Sequence, residues 1–276
     1  MGVLLGALSA LFYGVGDFLG GEGAKRAPAA SIVLWAGVVS FPLIAVLAVV
    51  LGGTASGEDL WLGAWAGAAG AVGLVMLFAG LGKGQAAAVA PASAAVGAII
   101  PVLFGVIGGD RPSLLAWVGV GVAIPAVVLS SWVADSSGAS LGGTRYGVLA
   151  GLGFGGYAVI LDATSPASGL LPLLPARAST MIVILAVAAL GLWQAVGFRQ
   201  VPLAIVVANG ALDLAGNVTL LLALRSGSLA LVGVAASFYP AVTVLLARIV
   251  NAEHLRVRQL VGVALTLVAL AAIAIG

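Results

Sequence analysis

Ten stretches of this chain stay apolar for about the 20 residues that a helix needs to cross a bilayer, and most of the linkers between them are a few residues long. The spans are approximately 3–21, 28–51, 61–81, 86–108, 114–133, 146–163, 176–197, 201–224, 229–250 and 259–275. Barrel strands would alternate polar and apolar over segments of about ten residues, whereas these runs are apolar on all sides and read as helices. Only 7% of the 276 residues are charged, against about 25% in a soluble domain, so ionised groups cannot cover the surface. The fold class expected is therefore all-α and integral to the membrane, crossing it many times, with a bacterial-type plasma (inner) membrane as the expected location. The first run, Val3 to Gly20, has neither the basic lead nor the small-residue cleavage site of a secretory leader and reads as a retained first span.

Composition also removes whole classes of chemistry. There is no cysteine and a single histidine, His254, so disulfides, thiolate nucleophiles and His/Cys metal clusters are excluded and no cofactor is expected. The net charge of +2 rests on 11 basic and 9 acidic residues, too few to build a nucleic-acid surface. HExxH does not occur, and Gly80 to Gln85 (GLGKGQ) lacks the spacing of a phosphate-binding loop. Enzymatic activity and ATP-driven pumping are not expected.

The chain also reads as a duplication. Residues 61–126 align on residues 204–269 without a gap, which brings Gly67 onto Gly210, Gly73 onto Gly216, Gly84 onto Gly227, Asp110 onto Glu253 and Gly119 onto Gly262. Near the start, GVLLGALSALFYGVGD lies over GVLAGLGFGGYAVILD and pairs Gly2 with Gly147, Gly6 with Gly151 and Asp17 with Asp162. The Ser/Gly-rich stretch Asp135 to Arg145 falls between the copies. The expected organisation is a first five-helix repeat over 1–135, a flexible connector over 136–145 and a second five-helix repeat over 146–276. Five is odd, so the second copy enters from the opposite side, giving the inverted repeat found in many secondary transporters.

Two five-helix halves that close with turns such as GGDRPSLLAWVGVGVA (Gly108 to Ala123) and NAEHLRVRQLVGVALT (Asn251 to Thr266) resemble the drug/metabolite transporter superfamily in its EamA-type branch. The resemblance covers the whole chain and departs at Asp110, where such turns commonly carry Glu. It implies a central cavity lined by helices 1 to 4 and 6 to 9, with helices 5 and 10 peripheral.

An ionised side chain at the centre of a bilayer costs about 2.5–3.5 kcal/mol on insertion scales, so acids within spans are the first candidates for function. Asp213 lies midway along the eighth span with Asn209 and Asn217 four residues to either side, one polar stripe on one helical face. The aligned positions of the third span are Ala66, Gly70 and Leu74, so the stripe belongs to one half only. Asp17 sits late in the first span one turn after Tyr13, with solvation beside Glu22, Lys25 and Arg26 as its alternative. Tyr13, Trp35, Trp65, Tyr157 and Tyr239 lie well inside spans and offer flat faces to an amphipathic or cationic solute, with packing as the alternative, and Pro240 in SFYP is a potential kink. Asp162 reads as a solvated or capping helix end, and Arg177, just after Pro175, as a side chain that snorkels to the interface, with contact to a substrate carboxylate as its alternative. Trp61, Trp132, Trp193, Tyr146 and Phe198 read as an interfacial belt.

The expected function is a secondary transporter exporting small organic metabolites, amino acids or amphipathic and cationic compounds, by alternating access, with protons as the candidate coupling ion. Asp213 would bind a substrate cation or proton, oriented by Asn209 and Asn217. The expected partners are the lipid bilayer and a small-molecule substrate, with monomer and homodimer both open. A non-transporting scaffold or subunit is the alternative, and an intramembrane enzyme a weaker one. Loop charge, eight basic residues against three, places both termini outside, whereas the family resemblance places them inside.

Overall fold

Inside lipid every backbone amide needs an internal partner, and the described residues meet that demand chiefly with helices. The computed structural model describes residues 1–83, 86–131 and 141–250, with isolated positions beyond 250. Helices α1 (Gly2–Ala24), α2 (Ala29–Leu51), α3 (Gly57–Gly82), α4 (Ala86–Ile107) and α5 (Leu114–Ser131) form the first half. The second half contributes α6 (Leu141–Asp162), α7 (Leu173–Ala189), α8 (Leu203–Ser226), α9 (Leu229–Ala236) and α10 (Tyr239–Val250). No strand occurs among the described residues. Helices α1, α2, α3 and α8 are each long and apolar enough to span a membrane. Large apolar side chains such as Leu4, Val46, Val49, Trp61, Trp65, Phe104 and Ile182 stand exposed on the outside, the arrangement that lipid rather than water favours. Trp65, expected further in, faces outward with them.

Most spans begin and end within a few residues of their expected limits, and the departures have local causes. Helix α3 starts at Gly57, four residues before the apolar run, because Ser56 and Asp59 form a capping box. The span expected over 176–197 stops at Ala189. Gly191, at φ 72°, lets its own N–H reach Ala188 O and that of Leu192 reach Val187 O, the closing bonds of a Schellman turn. The single span expected over 229–250 is broken between α9 and α10, since Pro240 has no N–H to give to the carbonyl one turn back. Residues 141–145 of the expected connector form the first turns of α6, while 136–140, Trp132 and most of the tenth span lie outside the described residues.

Helix α1 runs along α8, α9 and α10, and α6 along α3 and α4, while α7 packs on α2 and α3. Small residues allow these approaches. A Cβ on Gly67 would lie 1.9 Å from the carbonyl oxygen of Ala176, and one on Gly63 would lie 2.2 Å from that of Pro172, so α3 meets α7 backbone to backbone. Thr180 and Ser179 of α7 donate their hydroxyls to Gly67 O and Ala64 O across the same seam. Because the obstruction at Gly67 is backbone, Gly67→Ala is expected to destabilise the protein by about 1–3 kcal/mol, read as a lowered melting temperature in detergent.

Candidate functional site

The helices enclose a central cavity with about 910 Å³ of empty space, mouth included. Tyr13 and Asp17 reach it from α1, Ile44 from α2, Gly70 and Leu74 from α3, and Gly97 and Pro101 from α4. Phe154 and Tyr157 line it from α6, Arg177 and Thr180 from α7, Asp213 and Asn217 from α8, and Ser237 and Tyr239 from the broken segment at α9 and α10. Among the described residues, helix α5 contributes none to the lining.

A chain of polar contacts crosses this space. Asp213 forms an ion pair with Arg177, and both are buried. The Asn217 amide donates to Asp213 Oδ2 at 3.1 Å and to its backbone oxygen at 2.7 Å. In the other direction, Asn217 Oδ1 accepts the Tyr13 hydroxyl at 3.1 Å and that of Tyr157 as well. Side chains from α1, α6, α8 and α7 are thus joined in one hydrogen-bonded series. The expectation that Arg177 snorkels is overturned, since it is 8% exposed and its charge is met by Asp213. A guanidinium facing lipid would give up both hydration and a counter-charge, and pairing restores the second.

The remaining expected residues separate by location. Asp17 is buried against the cavity rather than solvated with Glu22. Tyr239 also lines the cavity, its hydroxyl bonded to that of Ser93 and its ring edge-on to Phe154 at 5.6 Å. Asn209 does not line it; its amide donates to Gly16 O at 2.7 Å and fastens α8 to α1. Trp35 also lies away from the cavity, with Nε1 donating to Val196 O at 2.9 Å and its ring edge-on to Phe198 at 5.1 Å. It pins the α7–α8 connection. Neither role could be read from spacing, because both partners are distant in sequence.

Residues 1–132 match the EamA-like transporter family. No curated protein matches the chain's sequence. A solved structure titled "Crystal structure of protein" superposes with a TM-score of 0.75 over 99% of this chain and 96% of that one, at 16% identity, so the two share a fold. With four helices long and apolar enough to cross a membrane, the chain is an integral multi-pass membrane protein.

The segment between α6 and α7 is tied to its neighbours by hydrogen bonds. Arg225, at the end of α8, donates to Thr164 O, to Thr164 Oγ1 at 2.8 Å and to Ser168 Oγ at 3.2 Å. Asp59 accepts Ser165 N–H at 2.6 Å, and Thr54 N–H reaches Ala167 O at 2.8 Å. Nearby, Asp110 accepts the Ser228 hydroxyl at 2.6 Å and Ala230 N–H at 3.0 Å, capping α9 from the α4–α5 turn. Asp110→Ala is expected to lower stability by about 1–2 kcal/mol, measured as thermal unfolding in detergent, by freeing that helix start.

Proposed function

We propose that the chain is a secondary active transporter that exports small organic metabolites by alternating access around the central cavity. The observation that carries this reading is the buried series Tyr13 and Tyr157 to Asn217, Asp213 and Arg177, which links α1 of the first half to α6, α7 and α8 of the second at mid-bundle. Such a series is costly to bury, and a protein that needs two arrangements of its helices gains a connection that can be remade.

The packing supports the inverted repeat on which alternating access depends. Exchanging α1 with α6, α2 with α7, α3 with α8 and α4 with α9 carries the α1–α8 seam onto α6–α3, the α2–α8 seam onto α7–α3 and the α1–α9 seam onto α6–α4. Gly67 meets Ala176 O on α7, and Gly210, its aligned partner, meets Ala36 O on α2. Two carboxylates, Asp17 and Asp213, line the cavity and are the candidate carriers of a coupling proton.

The absence of cysteine gives a clean test. Single cysteines introduced at Gly97 or Ala236, both lining residues, are expected to react with a membrane-impermeant maleimide from either side of the bilayer. Reaction from one side alone under every condition would contradict alternating access and favour a non-transporting scaffold.

A further inference from the structure

Asp17 is the acid whose charge the cavity leaves unanswered. It is 4% exposed and lines the cavity, and among the described residues no hydrogen bond or ion pair reaches it. Asp213, the charged group that acts on it electrostatically, has the same sign and is already committed to Arg177. The lining therefore holds two carboxylates and one guanidinium, a balance of one negative charge when all are ionised. A buried carboxylate without a partner is expensive to keep, so one that persists calls for a cation.

The surroundings indicate which kind. Tyr13, Phe154, Tyr157 and Tyr239 line the same cavity. The hydroxyls of Tyr13 and Tyr157 are spent on Asn217 and that of Tyr239 is engaged with Ser93, so what the four rings retain for a solute is π-surface. An inorganic cation requires several oxygen ligands at short range, whereas an alkylated ammonium is held by one carboxylate and aromatic faces. No group of three or more possible metal-ligating side chains occurs among the described residues.

We propose that Asp17 is the anchor of a subsite for a monovalent organic cation, with the four aromatic rings as its walls. This deepens the transporter reading and rests on it for the cation's role as cargo, but binding itself is measurable without transport. Purified protein in detergent would be titrated with benzyltrimethylammonium, with benzoate and N-benzylacetamide as anionic and neutral counterparts and sodium chloride at matched ionic strength. Thermal stabilisation and calorimetric binding are expected for the ammonium alone. Asp17→Asn is expected to weaken it about tenfold or more, Asp17→Glu to retain most of it, and Glu22→Gln, outside the cavity, to leave it unchanged. Equal binding by Asp17→Asn, or stabilisation by sodium, benzoate or the amide in place of the ammonium, would overturn the subsite. Should Asp17→Asn fail to fold, competition against the wild-type protein by ammonium ions of graded alkylation decides: affinity that does not rise with methylation overturns the aromatic subsite. Flux in proteoliposomes separates the two readings. Binding without flux would leave the subsite standing and remove the transporter, whereas flux of neutral solutes without ammonium binding would do the reverse.

Discussion

Arg177→Met is expected to destabilise the protein by about 3–5 kcal/mol, the cost of leaving a buried ion without its partner. Asp213 would then lie in an apolar interior with only the Asn217 amide to answer it. The effect should appear as a large fall in melting temperature and in the yield of monodisperse protein. The double variant Arg177→Met with Asp213→Leu should recover much of that stability, because desolvating two charges offsets most of what their attraction supplies. It should not recover transport. If the single variant is as stable as the wild-type protein, the pair is not buried as described.

Asp213→Asn has the largest expected effect on function. An amide keeps an acceptor for Arg177 and a partner for Asn217, so the protein should insert and purify, though with reduced stability. The charge is gone, however, and with it the ability to exchange a proton or to trade Arg177 for a cationic group. Flux driven by a proton gradient is expected to fall to the protein-free background. Unimpaired gradient-driven flux through this variant would remove Asp213 from the coupling machinery, while the ion pair would remain as a structural feature.

Much of the fold is legible in hydrophobicity because the bilayer dictates span length and forbids unpaired backbone. What it hides are features set by a few polar atoms. Ser56 and Asp59 extend α3 into a segment that an apolar-run reading ends early, and Gly191 stops α7 while the sequence is still apolar. Pro240 was visible as a kink, and the structure makes it a break that brings Ser237 and Tyr239 to the cavity.

The site was legible as residue types and not as partnerships. The stripe Asn209, Asp213 and Asn217 stood out because helical periodicity aligns it, yet its three members serve different ends: a seam with α1, an ion pair, and a bridge to two tyrosines. Arg177 reads as a snorkelling side chain because spacing within one helix says nothing about which neighbour faces it. Charge balance was the available signal, since an arginine and an aspartate each placed within apolar helices have every reason to meet. Ser93 and Phe154 carried no signal of their own: Ser93 joins the site through Tyr239, and Phe154 lines the cavity beside it.

The proposed movement of a solute through this cavity has a direct test. Proteoliposomes loaded with a mixture of amino acids, nucleosides, polyamines and cationic dyes, followed by mass spectrometry of what leaves, test it most directly. At least one solute should leave faster from vesicles carrying the wild-type protein than from vesicles carrying the stable Arg177→Met, Asp213→Leu double variant or no protein. Efflux identical in all three, for every solute, would contradict it.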